Sequence, residues 1–190
     1  MTNSYFFIGV AGVGMSAIAQ YLVGKGVAVS GSDRQFGEFL NGKSEKPLVM
    51  SQLEDCGIKC FAQDGSGVVE GLTAVVVSTA IEDTNPDLKR AKELGVPVMH
   101  RSEMLAKISK EARTIAVSGT SGKSTVTAMI YHILEYAGLQ PSVMTGAGLV
   151  NLQAQGKIGN AVSGKVNGSL PKSMKAMERL FAMNRKSASF

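Results

Sequence analysis

The chain has 190 residues, 44% hydrophobic and 18% charged: enough apolar side chain for a packed core and too little charge for a disordered polyelectrolyte. No apolar run reaches the roughly 18–20 residues that span a bilayer, and MTNSYFFIGV lacks the basic start of a secretory leader, so a cytoplasmic protein with no membrane partner is expected. The net charge of +5 is concentrated in Val166–Phe190, where five basic residues face one acid, so the body gives no sign of nucleic-acid binding.

In chain order, Ser4–Val10 reads as a strand and AGVGMSAIAQYLVGKG as a glycine turn entering a helix, with Ile18, Leu22 and Val23 facing a sheet. Val27–Ser30 reads as a second strand, closed by Gly31-Ser32-Asp33. Ile58–Phe61, Ala74–Ser78 and Val96–Met99 follow as strands, with helices near Val49–Cys56 and Pro86–Leu94. Such alternation predicts an α/β fold with an open parallel sheet. Gly12-x-Gly14-x-x-Ala17 meets the loose dinucleotide fingerprint, and Asp33 lies 21 residues beyond Gly12. By itself this reads as an NAD site, but any pyrophosphate ligand would use the same helix N-terminus. Asp33 either accepts a ribose or sugar hydroxyl or merely ends a strand. Cys56 and Cys60 read as ordinary thiols of a reducing compartment, His100 as structural, and His132 as packing or surface.

Ile108–Ala112 is the expected hinge into a second unit. Arg113–Val117 reads as a buried parallel strand, and Ser118–Thr125 as a small-residue turn. Val126, Met129, Ile130, Ile133, Leu134 and Ala137 then recur at helical spacing, with Gly138 at the C-cap. Strand, glycine turn and helix start together make a phosphate cradle. In it Lys123 supplies a point charge, and the Ser124 or Thr125 hydroxyl a ligand for Mg²⁺. A glycine-rich turn before an ordinary core helix is the plainer alternative. Val117 stands where the general P-loop has its first glycine, which leaves the compact form GTSGKST, Gly119 to Thr125.

That compact loop resembles the ATP loop of the Mur ligases, ATP-dependent amide-forming enzymes of peptidoglycan synthesis. GVAGVGMSAIA followed by VSGSD, VVVSTAI (Val75–Ile81), Asn85-Pro86, HRSEMLA (His100–Ala106) and GNAVSGK (Gly159–Lys165) are similar to the branch that joins L-alanine to UDP-N-acetylmuramate. The likeness covers about 165 of the 190 residues. It implies a Rossmann-like UDP-sugar-binding domain over 1–107 and the start of a P-loop ATP-binding domain over 108–165. ATP would sit on Gly119, Thr120, Ser121, Gly122, Lys123, Ser124 and Thr125, with Lys123 catalytic and Mg²⁺ on Ser124 or Thr125. The UDP-sugar would take Gly12, Val13, Gly14, Met15, Ser16, Asp33, Ser78 and Thr79. The implied reaction moves the ATP γ-phosphoryl group onto the sugar's carboxylate, and the L-alanine amine then attacks the acyl phosphate. A ligase recycling a ready-made tripeptide onto the same sugar is the alternative within the family. A non-catalytic nucleotide- or NAD-binding module is the alternative outside it.

After Lys165 the family pattern stops, and an acidic DESDG-like segment expected to help hold Mg²⁺ gives way to a basic tail over 166–190. Leu170, Met174, Met177 and Phe181 there have the spacing of an amphipathic helix for a membrane or partner groove. A frameshift explains the tail better: codons compatible with Val166–Phe190, read in the neighbouring frame, can spell DESDG. Met174 before Lys175 forces its Glu, and Met177 before Glu178 its Gly. The expectation is a truncated ligase with its amino-acid site absent and little or no activity.

Overall fold

The computed structural model describes residues 3–164; the basic tail and its out-of-frame reading lie outside them. Five strands, β1 (Ser4–Ile8), β2 (Ala28–Ser32), β3 (Lys59–Phe61), β4 (Ala74–Val77) and β5 (Val98–His100), form one parallel sheet in the order β3-β2-β1-β4-β5. The order reverses between β1 and β4, which makes their C-terminal ends the natural ligand crevice of a doubly wound fold.

Alternation along β1 fixes the layers. Tyr5 and Phe7 enter a core on one face, Phe6 and Ile8 a core on the other. The first face is covered by α1 (Val13–Gly24), α3 (Leu48–Asp55) and α5 (Arg101–Glu111), through Met15, Ile18, Leu22, Met50, Leu53, Met104 and Ile108. The second is covered by α4 (Pro86–Glu93), through Leu88 and Ala91. Each large side chain so buried contributes about 1.5–3 kcal/mol, and the β1 and β4 strands, apolar on both faces, read as the unbroken hydrophobic runs that a covered parallel sheet requires.

Two of the helices outside the sequence expectations start at residues already singled out in the sequence. The first, α2 (Arg34–Leu40), starts at Asp33, whose carboxylate caps the Gln35 N–H. The second, α5, starts at His100, whose Nδ1 accepts the Ser102 N–H while Glu103 accepts the His100 N–H. His100 thus has the structural role expected of it. Because α5 runs on to Glu111 with Ile108 buried, the expected hinge at Ile108–Ala112 is largely helix, and the irregular chain begins at Ala112.

Beyond it, the expected strand at Arg113–Val117 is absent: residues 113–116 are exposed and pair with nothing in a sheet. A strand exists by its ladder, and β-branched composition cannot replace a neighbour. The helix α6 (Lys123–Tyr136) does form, and Gly138, at φ +75°, closes it as expected, with the Leu139 N–H reaching Leu134 O. Its apolar stripe, however, is not core: Val126, Met129 and Ile133 are 43%, 58% and 60% exposed. Only the opposite side packs, where Tyr131 meets Val143, Leu149 and Leu152. Those residues belong to a small unit of β6 (Val143–Met144), α7 (Val150–Gln153) and β7 (Ala161–Val162), with β6 and β7 antiparallel.

Candidate functional site

At the C-terminal end of β1 the chain turns through Gly9–Gly12 into α1. The turn is bolted down by backbone: Gly9 and Val10 N–H groups donate to Ser32 O, and Gly12 N–H donates to Gly9 O. Helix α1 starts at Gly12 with no side-chain cap and no acid in its first turn. Its Met15 and Ser16 amides reach Gly12 O, while those of Val13 and Gly14 have no acceptor among the described residues. Two unpaired amides on a positive helix end are an anion site in waiting.

Four of the expected sugar-site residues, Gly12, Val13, Ser78 and Thr79, meet at this edge: Ser78 and Thr79 directly follow β4, the neighbour of β1. Gly14 joins them for a specific reason. The Arg101 guanidinium, at the first position of α5, lies so close that a Cβ on Gly14 would sit 2.6 Å from Nη1. Arg101 makes no hydrogen bond or ion pair with any described residue. A free cation beside a positive helix end is repelled until an anion bridges the two. Arg101 lies inside the HRSEMLA segment but was not among the expected site residues; its place directly after a strand at the C-terminal edge is the signal that could have found it.

Three of the expected site residues have their side chains engaged within the fold. The Met15 and Ser16 side chains are buried, Met15 in the core and the Ser16 hydroxyl donating to Val13 O, so neither reaches a ligand by its side chain. Asp33 is also buried: Oδ1 accepts from Gln35 N and Oδ2 from Ala11 N, so it caps a helix and pins the glycine turn.

A cleft of about 420 Å³ adjoins the turn, lined among others by Arg34, Gln63, Asp64, Ile81 and Thr84. Ile81 connects the two, with its Cδ1 3.7 Å from where a Gly9 side chain would begin. Gln63 offers a donor and an acceptor for a flat polar edge, and Arg34 a fixed cation. The Ser66 hydroxyl and N–H hold the Asp64 carboxyl below its ordinary range.

The second glycine loop is separate and exposed. Gly122 takes φ +76° as the N-cap of α6, a conformation that only glycine adopts without strain. Lys123 folds back on its own loop, with Nζ donating to Gly119 O at 2.8 Å and to Thr120 O at 3.2 Å. Ser124 and Thr125 follow in the first turn. Among the described residues no group of three acids, histidines or cysteines could enclose a metal ion. The loop would offer Mg²⁺ a single hydroxyl, which suits an ion that takes most of its ligands from phosphate and water. Burial pushes the Cys60 thiol up to about 12 and the Cys56 thiol in the same direction, which disfavours the thiolate at both.

Residues 4–113 match the family model described as the Mur ligase family, catalytic domain. The chain belongs to the Mur ligase family. It is 40% identical over 154 residues to the UDP-N-acetylmuramate–L-alanine ligase of Carboxydothermus hydrogenoformans, covering 80% of this chain and 31% of that protein. It is 41% identical over 145 residues to the ligase of the same name from Mesorhizobium japonicum, covering 76% and 29%. The fold superposes on the UDP-N-acetylmuramate–alanine ligase of Thermotoga maritima with a TM-score of 0.69 at 29% identity, over 85% of this chain and 35% of that one. On the UDP-N-acetylmuramate:L-alanyl-gamma-D-glutamyl-meso-diaminopimelate ligase of Neisseria meningitides the score is 0.67 at 25% identity, over 80% and 45%. This Mur ligase chain therefore spans about a third of the length of the curated relatives it matches. No helix among its described residues is long and apolar enough to cross a membrane.

Proposed function

We propose that this chain carries the UDP-sugar site and the ATP loop of a cytoplasmic ligase that joins L-alanine to UDP-N-acetylmuramate. One observation carries the sugar half: the unpaired Val13 and Gly14 amides face the same edge as the unpaired Arg101, beside a cleft of nucleoside size. The diphosphate belongs on those amides with Arg101 across it, and the uridine belongs in the cleft near Gln63 and Arg34. Asp33, Met15 and Ser16 shape the turn from behind.

The ATP half rests on Gly119–Thr125. Their backbone and the α6 N-terminus receive the phosphates, and Lys123 exchanges its loop carbonyls for phosphate oxygens. Bound Mg²⁺ would meet the Ser124 or Thr125 hydroxyl and neutralise phosphate charge. In the reaction a sugar carboxylate oxygen attacks the γ-phosphorus and ADP leaves. The L-alanine nitrogen then attacks the acyl carbon and expels phosphate. Lys123 stabilises charge in the first transfer, where positioning and electrostatics do most of the catalysis. Since the chain spans about a third of its relatives' length, this reading gives it the two binding steps and leaves ligation to the whole protein; alone it is expected to bind without ligating.

The likeness to the Neisseria ligase favours a second reading, a tripeptide ligase on the same sugar; both share the binding site described. Calorimetric titration of the chain with UDP-N-acetylmuramate, UDP and NAD tests the assignment. Binding of the first two and not of NAD is expected. Binding of NAD alone would overturn it.

A further inference from the structure

The chain that follows α6 returns to α1, and one of its residues enters the phosphate turn from behind. Asn160 is 1% exposed and immediately precedes β7. Its Nδ2 donates to Val13 O at 2.7 Å and to Ser16 Oγ at 2.8 Å. Its Oδ1 accepts from Gln20 Nε2 at 2.8 Å, and that same nitrogen donates to Ser16 O. The backbone of Asn160 is fixed as well, because its carbonyl accepts the Thr145 N–H.

The two residues it grips, Val13 and Ser16, form the first turn of the helix that presents the unpaired amides. First turns fray, and α1 has neither a capping side chain nor an acid to hold its own. An anion that binds to a frayed turn must order it at the moment of binding, and that ordering is subtracted from affinity. Fully satisfied buried polar networks hold a single geometry. Asn160 supplies from about 145 residues away what the local sequence of α1 lacks.

We propose that Asn160 is a positioning residue of the anion site at the start of α1: it holds the Val13–Ser16 turn in its ligand-ready form. In naming the ligand as the UDP-sugar diphosphate, the proposal rests on the function proposed above. Other contacts of this chain segment lie at the far end of the helix, where Lys25 Nζ donates to Gly164 O and Gly24 packs against Ser163, and Met144 and Ile158 pack against the core that α1 shares. They can keep the segment docked when Asn160 is replaced. The segment also has a firm base on the ATP side, since Tyr131 of α6 packs with Val143, Leu149 and Leu152.

The test compares the whole chain with Asn160→Ala and with the milder Gln20→Ala, which leaves both Asn160 donors in place and removes the Gln20 bonds to the Asn160 oxygen and to Ser16 O. Amide hydrogen exchange is read at Met15 and Ser16, and titrations are run with UDP-N-acetylmuramate and, separately, with ATP. Asn160→Ala is expected to speed exchange at Met15 and Ser16 with β1 and β4 unchanged. It is also expected to weaken UDP-N-acetylmuramate about tenfold while ATP stays within about twofold. Gln20→Ala shifts both readouts the same way by less, and decides the matter if Asn160→Ala does not fold. Unchanged exchange and unchanged sugar affinity would overturn the proposal and leave Asn160 as docking alone, as would equal losses for both nucleotides. If the unaltered chain binds no UDP-N-acetylmuramate, the ligand assignment fails, and the exchange data still decide whether Asn160 braces the turn.

Discussion

Asp33 Oδ2 accepts the backbone N–H of Ala11, 22 residues earlier, at 3.1 Å. With Oδ1 on the Gln35 N–H, one buried carboxylate joins the end of β2, the start of α2 and the glycine turn. Asp33→Ala removes a helix cap and leaves the half-buried Ala11 N–H without its partner, for a combined loss of about 1–3 kcal/mol. Urea unfolding and UDP-sugar titration of the same variant check the role. A loss in both is expected; lost affinity at unchanged stability would return Asp33 to direct ligand contact.

Arg101 and Gly14 make a paired prediction. Arg101→Ala removes a charge-assisted contact worth about 1.5–3 kcal/mol, so UDP-sugar affinity is expected to fall about tenfold to a hundredfold with little change in stability. Gly14→Ala places a methyl where Nη1 now lies and drives the guanidinium away. Alanine in a helix otherwise stabilises by roughly 0.5–1 kcal/mol relative to glycine. The variant is therefore expected to hold or gain thermal stability while losing affinity like Arg101→Ala. Undiminished affinity in both variants would remove Arg101 from the site.

Much of this is legible in the sequence where a rule is local. The glycine turn after β1 and the Gly138 stop follow from periodicity and turn chemistry, and each lies at its expected place. The misses share one cause. Arg113–Val117 has strand composition, but a strand needs a partner that local sequence cannot supply. The Val126, Met129 and Ile133 stripe has helical period, but period does not say whether anything covers the face. Ser16 and Asp33 carry polar side chains at the right turn, and long-range partners, Asn160 and Ala11, decide that they point inward.

Asp87 provides the pH test. It is fully buried in the second position of α4, with Oδ2 2.5 Å from the donating Ser32 hydroxyl and Oδ1 accepting the Gly65 N–H. Burial raises its pKa above the ordinary carboxylate value despite both donors. A carboxyl raised by folding stabilises the fold when protonated, and that contribution is lost as pH climbs from the unfolded value through the folded one. Asp87→Asn keeps an acceptor for Gly65 and no longer ionises. Measured by urea from pH 4 to pH 8, its stability is expected to gain on the unaltered chain as pH rises, by about 1.4 kcal/mol for every tenfold by which folding weakens the acid. A constant difference would show that ionisation of Asp87 costs the fold nothing.

Lys123 is the last test, because its present partners are the carbonyls of its own loop. An ammonium bonded to neutral carbonyls gains by exchanging them for phosphate oxygens, which carry full charge. Lys123→Met keeps the aliphatic stem and removes the charge. ATP affinity is expected to fall about tenfold or more, with UDP-sugar affinity unchanged because the proposed sugar site lies on α1 and α5. Helix α6 should persist, since its left-handed start at Gly122 and its Gly138 stop do not involve Nζ. Circular dichroism checks the helix and calorimetry the two affinities. Retention of ATP affinity by the methionine variant would mean that Lys123 holds the loop closed rather than meeting phosphate, and the charge for phosphoryl transfer would have to come from elsewhere in the protein.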